Sequence, residues 1–352
     1  MNRCPTCGAT YSNEARFCTR DGARLVARAT MNLGTPARGT SSGRPEPQPP
    51  VTHVNLTGTV LDGRYEVERK IGEGGMSFVY LAKDVATSEQ YAIKVLSAAL
   101  SRDQNAMARL KREASLGMRL AHANVCHIIR LGETADGLVY VVMPFVKGEI
   151  LSDRNIRQGM LPIADVVRFV HDIAAGLQVA HDLRIVHRDL KPENVMISRD
   201  DDGTERAVVM DFGLAKERRA DVELQKLTAT GIILGTPEFM SPEQLRGKPL
   251  DARTDVYSLA LMTFEMLTGK LPFAGRTQQE MMIARLRNDP IPLRQAVKGG
   301  EFSESLERVL LKAMSREPDA RYTTAPEFAA AFAQAAEGKH AETGLLGRFF
   351  KR

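Results

Sequence analysis

The apolar positions between about residue 57 and residue 335 follow two different periods. Early segments such as YAIKVL (91–96) alternate apolar and polar side chains, which predicts β-strands. Later segments, such as VRFVHDIAAGLQVAHDL, carry apolar side chains at helical spacing. DVYSLALMTFEMLTG (255–269) is a mainly apolar helix that we expect to end at Gly269. The chain therefore has a strand-rich part followed by a helix-rich part.

One polar stretch stands out between apolar runs. IVHRDLKPENVMIS (185–198) places Asp189, Lys191 and Asn194 close together, and Asp211 follows after the run AVVM. Two short apolar strands separated by DDGTER predict a hairpin that brings these groups side by side. A carboxylate can accept a proton, while an amide oxygen and a second carboxylate are hard ligands that suit Mg²⁺. Phosphoryl transfer needs this combination of groups.

These segments resemble, in order and spacing, those of bacterial eukaryotic-like serine/threonine protein kinases. The ordered set runs from a glycine-rich turn through HRDLKPEN and DFG to GTPEF and SPE. The resemblance implies an α+β, bilobal protein-kinase fold, with a small β-rich N-lobe and a large α-helical C-lobe. It predicts a kinase domain over 57–335, divided into lobes at 57–143 and 144–335, and a flexible tail over 336–352.

The same resemblance assigns roles to the polar residues. Asp189 is the expected base, and Lys191 would neutralise charge on the moving γ-phosphate. Asn194 and Asp211 would hold Mg²⁺ or Mn²⁺, and Lys94 would bind the α- and β-phosphates of ATP. The expected supporting residues are Glu113 as the ion-pair partner of Lys94, Thr236 as a contact of the base and its lysine, Asp255 next to the HRD segment, and Glu243 paired with Arg321.

The resemblance also predicts an ATP site. Glycines in the first turn would let backbone N–H groups approach the phosphates. The expected ATP-binding residues are Ile71, Gly72, Gly74, Gly75, Val79, Ala92, Lys94, Met143, Pro144, Val146 and Met196. The chain departs from the usual family pattern at Ser77, where a third glycine would stand, and at Ser241, which replaces the alanine of Ala-Pro-Glu.

Two threonines of the segment after DFG match the phosphorylation sites of related bacterial kinases. Phosphate on Thr228 and Thr230 would add negative charge that Arg188 could pair with. The alternative is that these threonines only solvate a loop. The resemblance implies protein Ser/Thr substrates and autophosphorylation through a transient dimer. A different class of function is a pseudokinase scaffold that acts through its N-terminal zinc-binding segment, but such proteins usually lose the equivalents of Lys94, Asp189 or Asp211.

Composition and charge narrow the class of protein and its possible partners. The 352 residues are 43% apolar and 26% charged, as in ordinary globular proteins. No apolar run is long enough for a membrane span, and the N-terminus lacks the apolar core of a secretion signal, so we expect a cytoplasmic protein. Residues 1–50 hold seven arginines, no lysine and three acidic residues, which is most of the net charge of +5. We therefore expect no nucleic-acid-binding face on the main domain.

The N-terminal cysteines predict a metal site. Cys4, Cys7 and Cys18 supply three thiolates, and Asp21 stands where a fourth ligand would be expected. The segment 1–24 resembles a short zinc ribbon that would bind structural Zn²⁺. The alternatives are an unliganded leader and a CxxC redox pair. Residues 25–56 form a Gly-, Pro- and Ser-rich linker without a core. The fourth cysteine, Cys126, is expected at the start of a small-lobe strand.

Overall fold

The structure is a computed structural model. It describes residues 2–3, 10–11, 26–27, 55–74, 77–134, 136–212, 237–275, 277–297, 299–300 and 302–349. The chain divides into two compact units, the first built mainly from 27–112 and 128–145, and the second mainly from 113–127 and 146–352. No helix among the described residues is both long and apolar enough to cross a lipid bilayer.

Three two-residue strands near the N-terminus form a separate small sheet in the order β2-β1-β3: β1 (Asn2–Arg3), β2 (Thr10–Tyr11) and β3 (Val26–Ala27).

The first unit is built around a six-stranded antiparallel sheet. The main sheet has the order β4-β5-β6-β7-β9-β8 and contains β4 (Val60–Leu61), β5 (Tyr65–Gly74), β6 (Ser77–Asp84), β7 (Gln90–Leu96), β8 (Arg130–Glu133) and β9 (Val139–Pro144). Helix α1 (Ala98–Arg102) and the start of helix α2 (Gln104–Gly117) follow β7.

The core of the first unit lies on one face of this sheet. Alternate residues of the three central strands point to that face because side chains in a strand alternate between its two sides. Tyr80, Ile93, Val95, Tyr140 and Val142 are all buried there in one apolar cluster. The residues between them in sequence face the other side. The sheet therefore has a core face and a second face, which carries Val79, Ala92 and Lys94.

The second unit is mainly helical. Its helices are α3 (Leu151–Gln158), α4 (Ile163–Asp182), α5 (Pro242–Leu245), α6 (Ala252–Thr268), α7 (Gln278–Arg287), α8 (Leu293–Ala296), α9 (Glu304–Ala313) and α10 (Ala325–Phe349). A small sheet has the order β10-β11-β12 and contains β10 (Gly148–Ile150), β11 (Val195–Arg199) and β12 (Glu205–Val209). The predicted hairpin around DDGTER is thus confirmed.

Helix α6 is the centre of the second core. Its residues from Thr254 to Thr268 are all buried, so polar and apolar side chains alike are enclosed. The helix ends at Gly269, which takes a left-handed conformation (φ 67°), as the sequence predicted. Helix α10 continues to Phe349, so the flexibility expected for 336–352 stays a prediction.

The segment before Cys126 belongs to the second unit, not to a small-lobe strand. Val125 forms a parallel bridge with Val209, and the Cys126 N–H donates to the Val209 carbonyl at 2.9 Å. The Asn124 amide donates to the Ala207 carbonyl, also at 2.9 Å. The expected place of Cys126 was therefore wrong, because these hydrogen bonds attach the segment to β12.

Gly176 of helix α4 gives this segment its space. A Cβ at this position would lie 2.7 Å from the Asn124 carbonyl oxygen. We expect Gly176→Ala to lower the free energy of unfolding by about 1–3 kcal/mol, as overpacked sites do, in urea denaturation. The matched control is Gly338→Ala in helix α10, where a Cβ meets nothing within 4 Å. Equal stability of the two variants would contradict the prediction.

An ion-pair group joins helix α3 to strand β12. The Arg154 guanidinium donates to both Glu205 carboxylate oxygens, at 2.8 and 2.7 Å, and also to Glu149. These hydrogen bonds lower the pKa of Glu205 from 4.5 to about 2. The pair therefore holds the start of β12, the strand that leads to Asp211.

This lowered pKa predicts a pH-dependent stability. Because the folded state favours ionised Glu205, the contribution is present above pH 4.5 and is lost as the pH falls towards about 2. The free energy of unfolding should be higher for the wild type than for Glu205→Gln at pH 6, and this difference should shrink below pH 4.5. A difference that stays constant from pH 6 to pH 2.5 would exclude this role of the ion pair.

Candidate active site

The predicted ATP-binding residues of the first unit lie on the face of the sheet opposite its core. Gly72, Val79 and Lys94 form one row across β5, β6 and β7, since Val79 is the register partner of both other residues. Ala92 and Met143 are partners in the next row on the same face. The strand register therefore brings together residues that are distant in sequence.

The contacts of Gly72 fit a ligand on this face. A Cβ at Gly72 would meet only Val79, at an ordinary contact distance of 3.6 Å. The protein's own packing thus leaves room for a side chain here, and glycine keeps that room open. A nearby phosphate group is a physical reason for such a choice, because backbone N–H groups can then approach its oxygens.

The remaining ATP-site predictions lie inside β5, at the end of β9 or in the second unit. Pro144 ends β9 opposite Tyr91, and the half-buried Val146 follows it in the chain. Met196 is half-buried in β11, between Ile150 and Val208. Ile71 is half-buried beside an irregularity in the pairing of β5 with β6.

The hairpin of the second unit brings the predicted phosphotransfer residues together. Val195 pairs with Val209, so the residue before β11 lies beside the residues after β12. The Met210 N–H donates to the Asn194 carbonyl at 2.8 Å, one residue before Asp211. Asn194 itself ends a short 3₁₀ helix, Pro192–Asn194. The metal-ligand candidates Asn194 and Asp211 are thus held by neighbouring backbone.

Asp189, Lys191 and Asn194 form one hydrogen-bonded group. The Asn194 Nδ2 donates to the Asp189 Oδ2 at 2.7 Å and to the Asp189 carbonyl at 2.8 Å. The Lys191 Nζ lies 3.3 Å from the same Asp189 oxygen, and the side chains of Asp189 and Lys191 are only 14% and 15% exposed. Since the amide nitrogen of Asn194 bonds to Asp189, its amide oxygen is the atom that can face a cation.

The ligands in this group suit magnesium. Mg²⁺ is usually bound through one or two protein oxygen ligands together with substrate phosphates and water. Asn194 and Asp211 would provide that small number of oxygen ligands. Among the described residues, no cluster of three or more His, Cys, Asp and Glu side chains forms a larger metal site.

His187 connects the two functional segments. Its Nε2 lies 2.9 Å from the Met210 carbonyl, which can only accept, so Nε2 must donate. Its Nδ1 accepts from the Asp189 N–H at 3.3 Å. The imidazole also packs edge-on against Phe212, with ring centroids 4.7 Å apart. His187 therefore links the backbone of Asp189 to the residues on both sides of Asp211.

Asp255 holds the backbone before Asp189. This carboxylate is fully buried and accepts from the His187 N–H at 2.8 Å and the Arg188 N–H at 3.0 Å. His181 of helix α4 also donates from Nε2 to Asp255, at 2.8 Å. The expected contact of Asp255 with the HRD segment is confirmed.

Two residues of the site have a left-handed backbone that the sequence did not predict. Arg188 has φ 64° and Asp211 has φ 55°. Such conformations in non-glycine residues cost about 1–3 kcal/mol and persist where neighbouring contacts hold them. At Arg188 those contacts are present, since its N–H bonds to Asp255 and its carbonyl accepts from Gln244 at 2.7 Å.

For several predicted residues the structure does not describe the side chain or the whole residue. Glu113 is in helix α2, but its side chain is not described, so the pair with Lys94 stays a prediction. The residues outside the described part are Cys4, Cys7, Cys18, Asp21, Gly75, Thr228, Thr230 and Thr236.

Comparisons with known proteins agree with this geometry. The protein kinase domain family matches residues 65–334. The chain is 40% identical over 273 residues to serine/threonine-protein kinase PknB of Mycobacterium leprae, covering 77% of this chain and 42% of that protein. It is 35% identical over 273 residues to serine/threonine-protein kinase pkn3 of Myxococcus xanthus, covering 78% and 50%. The chain thus spans at most half the length of these relatives.

A solved structure gives the same result for the fold. The crystal structure of the Mycobacterium tuberculosis PknI kinase domain matches with a TM-score of 0.62 and 27% sequence identity, over 80% of this chain and 100% of that one. Because the family match covers most of the sequence, the chain belongs to the protein kinase family.

Proposed function

We propose that this chain is an ATP-dependent serine/threonine protein kinase, which transfers the γ-phosphoryl group of ATP to Ser and Thr hydroxyls of proteins. The observation that carries the proposal is the group formed by Asp189, Lys191 and Asn194 beside the backbone of Asp211. A carboxylate, a cation and oxygen ligands for Mg²⁺ are the parts that phosphoryl transfer requires. The names of the relatives support Ser/Thr specificity.

The residues would divide the work as follows. Asp189 orients the attacking hydroxyl and accepts its proton. The Lys191 ammonium, which lies 3.3 Å from the Asp189 Oδ2, stabilises negative charge on the transferred group. Asn194 and Asp211 would hold Mg²⁺, which spreads the phosphate charge when bound. Lys94 binds the α- and β-phosphates, and the face around Gly72, with Gly74 and Gly75, accommodates the triphosphate. Adenine would contact Val79, Ala92, Met143, Pro144, Val146 and Met196.

The alternative is a scaffold with a kinase fold and no activity. Intact-mass measurement after incubation with Mg-ATP separates the two, because an active kinase gains the mass of one phosphate group, less water, at each site that it autophosphorylates. Incubation with ATP and excess EDTA is the control. If neither the protein nor a library of Ser/Thr peptides gains phosphate, the proposed function is wrong. The presence of Lys94, Asp189 and Asp211 favours the active enzyme.

Regulation by phosphorylation is a further part of the proposal. Thr228 and Thr230 would be phosphorylated between two copies that meet transiently, and Arg188 would pair with the phosphate. The double variant Thr228→Ala and Thr230→Ala should then lose the corresponding mass gain and phosphorylate peptides more slowly. An unchanged peptide rate would remove this regulatory role without affecting the catalytic proposal.

The N-terminal segment 1–24 would bind one structural Zn²⁺ through Cys4, Cys7, Cys18 and Asp21. Thiolates and a carboxylate are suitable zinc ligands, and a segment this short needs a metal to fold. Metal analysis of protein purified without chelator should give about one zinc per chain. A cytoplasmic location remains a prediction of the sequence.

A further inference from the structure

The last peptide unit before the proposed base is held at both of its ends. This unit consists of the Arg188 carbonyl and the Asp189 N–H. The carbonyl accepts from the Gln244 Nε2 at 2.7 Å, and the N–H donates to the His187 Nδ1 at 3.3 Å. Because a peptide unit is planar, these two bonds together determine its orientation. That orientation sets the direction in which the Asp189 side chain leaves the backbone.

The backbone at Arg188 needs such support. Its φ of 64° lies in the left-handed region, which residues other than glycine rarely adopt. The Arg188 N–H donates to the buried Asp255 carboxylate at 3.0 Å, which holds the peptide unit before this residue. Gln244 supplies the contact to the peptide unit after it. Without that donor, the second unit could rotate towards a backbone conformation of lower strain.

A second partner fixes the orientation of the Gln244 amide. Its Oε1 accepts from the Ser241 N–H at 3.0 Å, and the Ser241 Oγ accepts from the Gln244 N–H at 3.3 Å, which completes the capping box of helix α5. An N–H can only donate and a carbonyl can only accept, so Oε1 must face Ser241 and Nε2 must face Arg188. Gln244 is 8% exposed, so water has little access to compete for these bonds.

The capping box alone does not require glutamine. Glutamate at the same position of a capping box makes the same bond, and its charge also interacts favourably with the helix dipole. What distinguishes glutamine is its N–H donor, since an ionised carboxylate has no hydrogen to offer to the Arg188 carbonyl. The donor therefore serves the segment before Asp189 rather than helix α5.

We propose that Gln244 is a positioning residue for the proposed base. This inference rests on the proposed kinase function, in which the Asp189 carboxylate must lie within hydrogen-bond distance of the attacking hydroxyl. Gln244 holds the peptide unit that precedes Asp189, and through it the direction of the carboxylate. It acts through the backbone and does not touch the reacting atoms.

The test compares Gln244→Glu and Gln244→Met with the wild type in the full chain. Gln244→Glu keeps an acceptor for the Ser241 N–H but loses the donor to Arg188. Gln244→Met loses the donor without adding a charge. Gln279→Glu is the matched control, because Gln279 is an exposed residue in the first turn of helix α7.

The probe is a Ser-containing peptide chosen from the best-phosphorylated members of a randomised library. We measure kcat and KM for this peptide at saturating Mg-ATP, the Kd of a non-hydrolysable ATP analogue, and the melting temperature. Both variants at Gln244 should lower kcat by about tenfold or more, because small displacements of a catalytic group have large effects on rate.

The affinities should stay close to those of the wild type. The KM for the peptide and the Kd of the ATP analogue should change by less than about twofold, since the proposal gives Gln244 no contact with either ligand. Gln244→Glu should also keep the melting temperature of the wild type, because its capping box remains. Gln279→Glu should match the wild type in every measurement.

Each variant excludes one rival explanation. A wild-type kcat in Gln244→Glu would show that only the capping box matters. A wild-type kcat in Gln244→Met would show that a loss in the other variant comes from its added charge. Either result overturns the inference, and so does an equal loss of affinity for peptide and ATP analogue, which would indicate general distortion of the unit.

Folding of the variants and activity of the wild type are checked first. If one variant at Gln244 does not fold, the kcat of the other decides. A wild-type protein that phosphorylates no peptide would instead refute the proposed function itself, before any variant is compared.

Discussion

Asp189→Asn is expected to lower the rate of phosphoryl transfer by about 10²–10⁴-fold, the usual contribution of a general base. An amide has the size of the carboxylate and can still accept the hydrogen bond from the Asn194 Nδ2, so the 187–194 loop should keep its shape. It cannot take a proton from the attacking hydroxyl, and it no longer attracts the Lys191 ammonium at 3.3 Å. The loss should therefore appear in kcat, with little change in affinity for Mg-ATP.

The measurement is the initial rate of peptide phosphorylation, together with the Kd of an ATP analogue and the melting temperature. Asp201→Asn is the matched control. It makes the same chemical change at an exposed residue, in the turn of the neighbouring hairpin. A variant at Asp189 that retains more than about a tenth of the wild-type kcat would be incompatible with a base at this position. A loss of kcat that is accompanied by a lower melting temperature would indicate that the variant is destabilised rather than deprived of its base.

Much of the second unit's site could be predicted, either from a local pattern or from the family resemblance. The hairpin of β11 and β12 followed from two apolar runs and the turn DDGTER. The contact of Asp255 with residues 187 and 188 and the pair of Glu243 with Arg321 followed from the resemblance and are confirmed. In these cases short motifs at fixed spacing determine which groups meet.

The features that the sequence did not predict depend on contacts distant in the chain. Nothing in HRD indicates that Arg188 has a positive φ, because Asp255 and Gln244 impose it from other helices. The burial of Arg285 in helix α7 was equally hard to predict, since an arginine in a short helix with charged neighbours is usually exposed. Burial of that side chain results from the packing of α7 against residues 237–240.

The position of residues 113–127 in the second unit also depends on contacts that are distant in the chain. The sequence placed Cys126 in the small lobe because it precedes the strand β8 in the chain. Hydrogen bonds to Ala207 and Val209 instead attach the segment to the second unit. Strand pairing at this sequence separation has no local signal, whereas Gly176 offers an indirect one, because an apolar helix rarely contains glycine without a packing reason.

Arg321→Met is expected to lower the free energy of unfolding by about 3–5 kcal/mol, the usual cost of breaking a buried ion pair. The Arg321 guanidinium is fully buried and donates to both oxygens of Glu243 at 2.7 Å. Burial alone would raise the pKa of Glu243, but these bonds outweigh it and lower the pKa. Without Arg321 the buried carboxylate loses both of these bonds but keeps the bond from the Thr254 hydroxyl, at 2.9 Å.

The double variant with Glu243→Met tests this explanation. If the cost comes from the unpaired buried carboxylate, removing it should recover part of the stability, so the double variant should be more stable than Arg321→Met alone. Arg308→Met is the matched surface control, because the Arg308–Glu304 pair is more than 70% exposed and should contribute about 0.5 kcal/mol at most. Urea denaturation of the four proteins, including the wild type, gives the comparison. A double variant less stable than Arg321→Met would mean that the unpaired carboxylate is not the cause of the loss.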